Sequence, residues 1–249
     1  MPFSDTLKLQ NGKEMPILGI GTWQGKAEEL ERALDAALEV GYRHIDTAFN
    51  YQNEDVIGKL LNKWISSGKI KREELFIVTK LPMIGMTREG PKKFLEKSLK
   101  ALQLDYVDLY LVHAPIGFNY HGDDKLKFCE SKGITVVAYA PLGSPGRAQF
   151  FKQMGRAAPK IPPLLDNEVV KKIARKHRVT PGQVLLRHLA QENVAVIPKS
   201  TNSTRLQLNY QIFNFCLTPD EIHALDELDV GPDGRSFNFA DFPGYVLID

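Results

Sequence analysis

Hydrophobic positions along this chain alternate between two periods. Short, almost wholly apolar runs such as LFIVTKL (75–81) and YVDLYLVH (106–113) are separated by stretches with apolar residues every three or four positions. Runs of the first kind predict strands near 17–21, 44–47, 75–81, 106–113, 134–139 and 194–198. The second kind predicts helices. One runs from Lys26 to Val40, with Leu30, Leu34, Ala37 and Leu38 on one face and Gly41 as its stop. Others cover 55–67, 91–102, 125–132, 166–177, 180–191 and 203–210. Thr218-Pro219-Asp220-Glu221 is a capping box opening a last helix. At the N-terminus, LKLQ and PILG flank Asn11-Gly12, which predicts a hairpin over 7–20 with a two-residue turn. Repeated βα units of this kind make a parallel sheet or a barrel.

Composition narrows the class without naming a function. The 249 residues are 43% hydrophobic and 25% charged, ordinary values for a globular enzyme. A net charge of +2 gives no strong pull toward nucleic acid or a membrane surface. Cys129 and Cys216 have no metal-like spacing, so no metal is expected, and isolated cysteines suit a reducing compartment. The start, MPFSDTLKL, lacks the apolar core of a signal peptide, and no run approaches a membrane span. A single cytosolic domain over 1–249 is the expectation.

Four residues share a compatible chemistry. Asp46, Lys80 and His113 stand at predicted strand ends, and Tyr51 follows five residues after Asp46. In a parallel α/β fold the strand ends converge on one open face. Tyrosine is a weak acid, and a neighbouring ammonium should lower its pKa. Lys80 is the candidate cation, and Asp46 would hold it charged. His113 would donate to a carbonyl oxygen where negative charge develops. Taken singly, each has a blander reading: Asp46 as a helix cap, Lys80 as a solvated strand end, Tyr51 as packing and His113 as a structural histidine. Further along, Lys199, Ser200 and Arg205 surround a helix start, a good seat for a phosphate monoester and a pointer to NADP(H). Gly19-Ile20-Gly21 imitates a dinucleotide fingerprint, but Gly25 falls one position late.

The motifs GIGTW (19–23), GYRHIDTA (41–48), Tyr51, TKLP (79–82), LVHAP (111–115), AYAPLGS (138–144) and IPKS with Arg205 and Asn209 resemble the aldo-keto reductases, closest to the aldose and aldehyde reductase branch. The resemblance implies a (β/α)8 TIM-type barrel and NADPH-dependent reduction of aldehydes or ketones, with Asp46, Tyr51, Lys80 and His113 as catalytic residues and Tyr51 as general acid. It implies that Tyr139 stacks on nicotinamide, that Leu142, Gly143 and Ser144 cradle pyrophosphate, and that Asn209 contacts adenine. Thr22 and Trp23 would line the cofactor site. Trp23, Tyr51, His113 and Phe118 would face a small carbonyl substrate. A monomer is expected.

The chain departs from the family in one large respect. Two βα units that the family carries between LVHAP and AYAPLGS are absent, which leaves about six units, the hairpin and a C-terminal helix and tail. The expected fold is therefore an incomplete (β/α)8 barrel, either reclosed or open. The lost units would have supplied the groups gripping the nicotinamide amide. Ala114, Gln24, Gly146 and Leu208 also replace usual family residues. The alternative function is a catalytically impaired shortened form that at most binds NADP(H).

Overall fold

The computed structural model describes residues 5–113, 132–153, 155, 157, 161 and 163–231. A hairpin comes first. β1 (Thr6–Lys8) pairs antiparallel with β2 (Glu14–Pro16), Leu7 opposite Met15. Its loop is longer than the two-residue turn that Asn11-Gly12 predicts. The Leu9 N–H donates to Lys13 O at 2.8 Å, which leaves three residues, with Gly12 at φ 81. A three-residue loop closes on a left-handed residue, and glycine reaches that region without a Cβ clash. Of the predicted second arm, PILG (16–19), only Pro16 pairs in the hairpin. The rest runs into β3 (Gly19–Gly21), the first strand of a parallel array.

Five more strands join that array: β4 (His44–Asp46), β5 (Phe76–Leu81), β6 (Leu109–Val112), β7 (Val136–Ala138) and β8 (Val194–Val196). β3, β4, β5 and β6 pair in that order, and β7 pairs with β8, all parallel. A bridge between Leu18 and Val196, with Val196 N donating to Ile17 O at 2.7 Å, sets β8 beside β3. The order is thus β6–β5–β4–β3–β8–β7. The last strand returns beside the first, as it does in a barrel, but among the described residues β6 and β7 do not pair. Among the described residues the arc is open between β6 and β7, where the missing units would stand. Burial records the opening: β4 and β8 are buried throughout, whereas β7 is half-buried and β6 is half-buried with an exposed end. All six strands are shorter than the apolar runs predict, because regular pairing with a neighbour and not hydrophobicity sets where a ladder begins and ends.

Helices cover the outside: α1 (Ala27–Val40), α2 (Glu54–Ser66), α3 (Gly90–Leu102), α4 (Arg147–Gln153), α5 (Glu168–His177), α6 (Pro181–Gln191), α7 (Ser203–Tyr210) and α8 (Pro219–Asp226). The Thr218–Glu221 capping box forms as the sequence predicts. The sequence predicts no helix over α4, whose seven residues RAQFFKQ carry no apolar stripe. Of the predicted helix 125–132, residues 125–131 lie outside the described residues, and Lys132 is in a turn.

Strand alternation sorts the side chains into two layers. Ile20, Ile45 and Ile77 point outward and pack with Leu30, Leu34, Leu38, Ile57, Leu61 and Leu102 of α1, α2 and α3. Phe76 and Val78 point inward with Ala195, Leu109, Leu111 and Val137, and Met15, Leu7 and Leu9 of the hairpin plug the bottom. Two residues on from inward positions His44, Val78 and Leu111 come Asp46, Lys80 and His113. The same alternation that builds the inner core therefore delivers three polar groups to its upper rim.

Candidate active site

Lys80 organises the rim. Its Nζ donates to Asp46 Oδ1 at 2.6 Å, to the Thr47 carbonyl at 2.9 Å and to Tyr51 Oη at 3.4 Å. The Lys80 and Asp46 side chains are only 11% and 5% exposed, so water does little to screen the pair. Tyr51 sits on a 3-10 turn after β4, held by its N–H to Ala48 O at 2.9 Å. The His113 ring meets the Tyr51 ring edge-on, centroids 5.3 Å apart at 82°. All four residues that the sequence singles out are thus brought together.

One electrostatic expectation is overturned. The Lys80 ammonium, 3.4 Å from Tyr51 Oη, does not bring the Tyr51 pKa below its ordinary value. Burial pushes the phenol well above its ordinary value, and the Asp46 carboxylate pushes it further. The reason is in the distances: the ammonium makes its shortest bond to Asp46, and that carboxylate opposes a second anion nearby. Lys80 itself is pulled below its usual value by burial, against which Asp46 and then Glu54 act. Burial and the Lys80 charge hold His113 low, so its ring is neutral near pH 7, and its Nδ1 is buried without a partner among the described residues.

Three groups that sequence reading missed support this cluster. The Thr47 carbonyl is one ligand of Lys80. Asn53, buried at the start of α2, donates from Nδ2 to Thr22 O at 2.9 Å and to Gly25 O at 3.4 Å, tying the loop that carries Trp23 to the one that carries Tyr51. Glu54, 4% exposed, accepts the Thr79 hydroxyl at 2.6 Å and the Ser98 hydroxyl at 2.9 Å. A glutamate at the first position of a helix ordinarily reads as a dipole partner, and no local pattern marks it as buried.

The remaining candidates lie on the same rim. Thr22 donates from Oγ1 to Asp46 O at 3.0 Å. Trp23 is partly exposed, its ring edge-on to Phe150 of α4 at 5.1 Å. Tyr139, just past β7, is 64% exposed. Leu142 packs against the core beneath, and Gly143 and Ser144 both take positive φ in the turn that follows. Beyond β8, Asn202 caps α7 by accepting the Arg205 N–H at 2.9 Å. Ser200 is buried and receives Arg205 Nε at 3.4 Å, while Lys199 and Arg205 stand exposed around it. Asn209 is buried on α7. Glu29 of α1 lies beside this basic cluster; a hydrogen bond from Thr201 and the Lys199 charge hold its carboxyl low. Phe118, named from sequence as a substrate contact, lies outside the described residues.

An open barrel with these groups on its C-terminal rim defines the class, and comparison with known proteins gives the family. The model of the Aldo/keto reductase family matches residues 17–121 and 118–230. The chain belongs to the aldo/keto reductase family. It is 32% identical to Aldo-keto reductase family 1 member C15 of Rattus norvegicus over 328 aligned positions, covering 99% of this chain and 98% of the relative. Prostaglandin F synthase 1 of Bos taurus is 32% identical, covering 97% of this chain and 95% of that one. The fold is similar to the crystal structure of a Bombyx mori aldo-keto reductase in complex with NADP, with TM-score 0.83, 29% identity and 98% of each chain covered. The 328 aligned positions exceed the 249 residues by at least 79 (328 minus 249), so the rat relative carries residues this chain lacks. The two matched segments meet at 118–121, the place where the sequence motifs locate the missing block.

Proposed function

We propose that this chain reduces aldehydes or ketones to alcohols with NADPH, as one domain, monomeric and cytosolic. The observation that carries the reading is the Lys80 ammonium held between Asp46, the Thr47 carbonyl and Tyr51 Oη, with the His113 ring against Tyr51. Among the described residues no helix is long and apolar enough to cross a membrane.

The residues present fit the cofactor at one end and in part at the other. Lys199, the buried Ser200 hydroxyl and Arg205 would hold a 2′-phosphate, and Asn209 would meet adenine. Tyr139 offers an exposed ring to a flat heterocycle. When bound, NADPH supplies the hydride. The protein supplies the proton and the charge stabilisation. Tyr51 Oη gives its proton to the oxygen that gains negative charge. A raised phenol pKa suits this step, since Tyr51 stays protonated across the physiological range, and an alkoxide is a far stronger base than tyrosinate. Lys80 then stabilises the tyrosinate left behind. The neutral His113 ring has one N–H to give to the same oxygen. Trp23, edge-on to Phe150, would wall the approach.

A second reading has its own support. The unpaired lips of β6 and β7 favour a form that binds nucleotide but turns over poorly. Quenching of protein fluorescence by NADPH, measured beside reduction of a broad aldehyde by the wild-type chain and by Tyr51→Phe, separates the two. Binding with turnover that Tyr51→Phe abolishes supports the first. Binding without turnover supports the second. Turnover that survives in Tyr51→Phe sinks the assignment of the proton donor.

A further inference from the structure

Glu54 is a buried carboxylate that this mechanism does not use. It begins α2, three residues after Tyr51, and its oxygens are taken by the hydroxyls of Thr79 on β5 and Ser98 on α3. Thr79 is the strand neighbour of Lys80. Alternation sends Thr79 outward toward α2 and α3 while Lys80 points inward. Glu54 thus meets β5 on its outer face at the residue before Lys80, while Asp46 meets Lys80 itself on the inner face. Burying a carboxylate is costly, and two neutral hydroxyls alone are a poor return unless a positive charge is near. The Glu54 environment contains one: Lys80 favours its ionised form, against the effect of burial.

We propose that Glu54 is a positioning residue that completes, with Asp46, a pair of carboxylates around Lys80 and keeps the ammonium charged beneath Tyr51. It rests on the role given to Lys80 above. The charged and titratable groups around Lys80 are Asp46 and His44 from β4, Tyr51 from the following turn, His113 from the end of β6 and Glu54 from α2. Around Glu54 they are Lys80 and Tyr110 of β6, whose hydroxyl is buried without a partner among the described residues. Burial pulls the Lys80 ammonium toward deprotonation, and the two carboxylates oppose it. Neutralising Glu54 therefore moves the loss of the Lys80 proton to lower pH. A simple staple between α2, β5 and α3 would not do so, because glutamine at this place can accept from one hydroxyl and donate to the other.

The test is the protonation of Lys80 followed by NMR of lysine-labelled protein in the wild type and in Glu54→Gln, with Lys80→Arg to assign the signal. The expected result is a Lys80 midpoint lower by about one pH unit or more in Glu54→Gln, a tenfold change in the equilibrium. Glu54→Asp, which keeps the charge, should restore most of it. Where the chain turns over, the alkaline limb of kcat should move by the same amount while the Kd for NADPH does not. An unchanged Lys80 midpoint overturns the proposal, and does so whether or not the chain is active, so it is distinct from failure of the reductase reading. Should Glu54→Gln not fold, the reciprocal measurement decides. The Glu54 carboxyl, followed by carbon NMR of labelled glutamate, should titrate at higher pH by about one unit or more in Lys80→Met. No movement there refutes the coupling.

Discussion

Replacing Lys80 with Met should destabilise the protein more than any exposed charge deletion, and the loss should depend on pH. Lys80 and Asp46 meet at 2.6 Å with side chains 11% and 5% exposed. Methionine fills much of the lysine stem but leaves the Asp46 carboxylate buried and unpaired, and the Thr47 carbonyl loses its 2.9 Å donor. Removing one partner of a buried pair costs about 3–5 kcal/mol. That is a large share of the roughly 5–15 kcal/mol of a typical domain. Without Lys80 the buried Asp46 carboxylate has no counter-charge, a cost that falls away where the carboxyl is neutral. Measured against wild type, the deficit in Lys80→Met should be full at pH 7.5 and should narrow toward pH 4. Urea unfolding at both pH values gives the two deficits, and equal m-values show that the midpoints are comparable. Asp46→Asn on top of Lys80→Met should recover part of the loss, a coupling of about 0.5–3 kcal/mol. A deficit under about 1 kcal/mol, or one that does not change with pH, would show that Asp46 is in effect solvated and that the pair is no buried anchor.

Arg205→Ala should weaken NADPH binding by about ten- to a hundredfold and NADH binding hardly at all, since one charge-assisted contact is worth about 1.5–3 kcal/mol; equal losses in a fluorescence titration would remove the phosphate assignment. Glu221 is held down to about 2, because bonds from Lys176, the Thr218 N–H and His177 outweigh its burial. A depressed folded pKa gives stability present above the unfolded value and lost as pH falls. Glu221→Gln should therefore cost roughly 3 kcal/mol at pH 7, and its unfolding curve should converge on wild type between pH 4.5 and 2. Gly58→Ala places a Cβ 2.4 Å from Ala101 O where α2 crosses α3; overpacking of about 1–3 kcal/mol should exceed the helix-propensity gain of about 1 kcal/mol, and a rise in melting temperature would refute the close crossing. Restoring the two missing βα units should raise the melting temperature by about 10 °C or more, since each 1 kcal/mol moves a chain of this size by about 2–4 °C, and should raise turnover more than about tenfold; near-equal values would show that the open arc is a competent enzyme.

The parts of this protein legible in sequence are those set by period and order. Apolar runs marked all six parallel strands, and the position of Asp46, Lys80 and His113 relative to those runs put them on one rim. Ends were less legible. β6 begins at Leu109 and not Tyr106, because pairing with β5 and not hydrophobicity decides where a ladder starts. Glu54 and Asn53 could not be found because their partners are distant in sequence. Glu54 reaches Thr79 and Ser98, and Asn53 reaches Thr22, across separations that only the fold closes. The acidity of Tyr51 was misjudged for a related reason. Sequence shows that a lysine and an aspartate are near, but not that the ammonium lies 2.6 Å from the carboxylate and 3.4 Å from the phenol. The motif order exposes the missing block, yet only strand pairing shows that β6 and β7 stay apart among the described residues.

The place of the opening divides the site unevenly. Asp46, Tyr51, Lys80 and His113 belong to β4, β5, β6 and the turn after β4, and every hydrogen bond among them stays on that side. Lys199, Ser200, Arg205 and Asn209 follow β8, which is fastened to β3 through Leu18 and Val196. β3 in turn is joined to the tetrad by Thr22, whose hydroxyl bonds Asp46 O. Neither group therefore depends on a contact across the gap. Tyr139 and His113 nevertheless face each other over it: they follow β7 and β6, which do not pair with each other among the described residues. On the proposed assignment, a heterocycle stacked on Tyr139 and a carbonyl held by His113 would approach each other over the one boundary where no strand pairing is found among the described residues. Loss of the block should consequently spare nucleotide binding and the internal order of the tetrad, and fall on the distance between reacting atoms, where a displacement of about 1 Å can cost a hundredfold in rate.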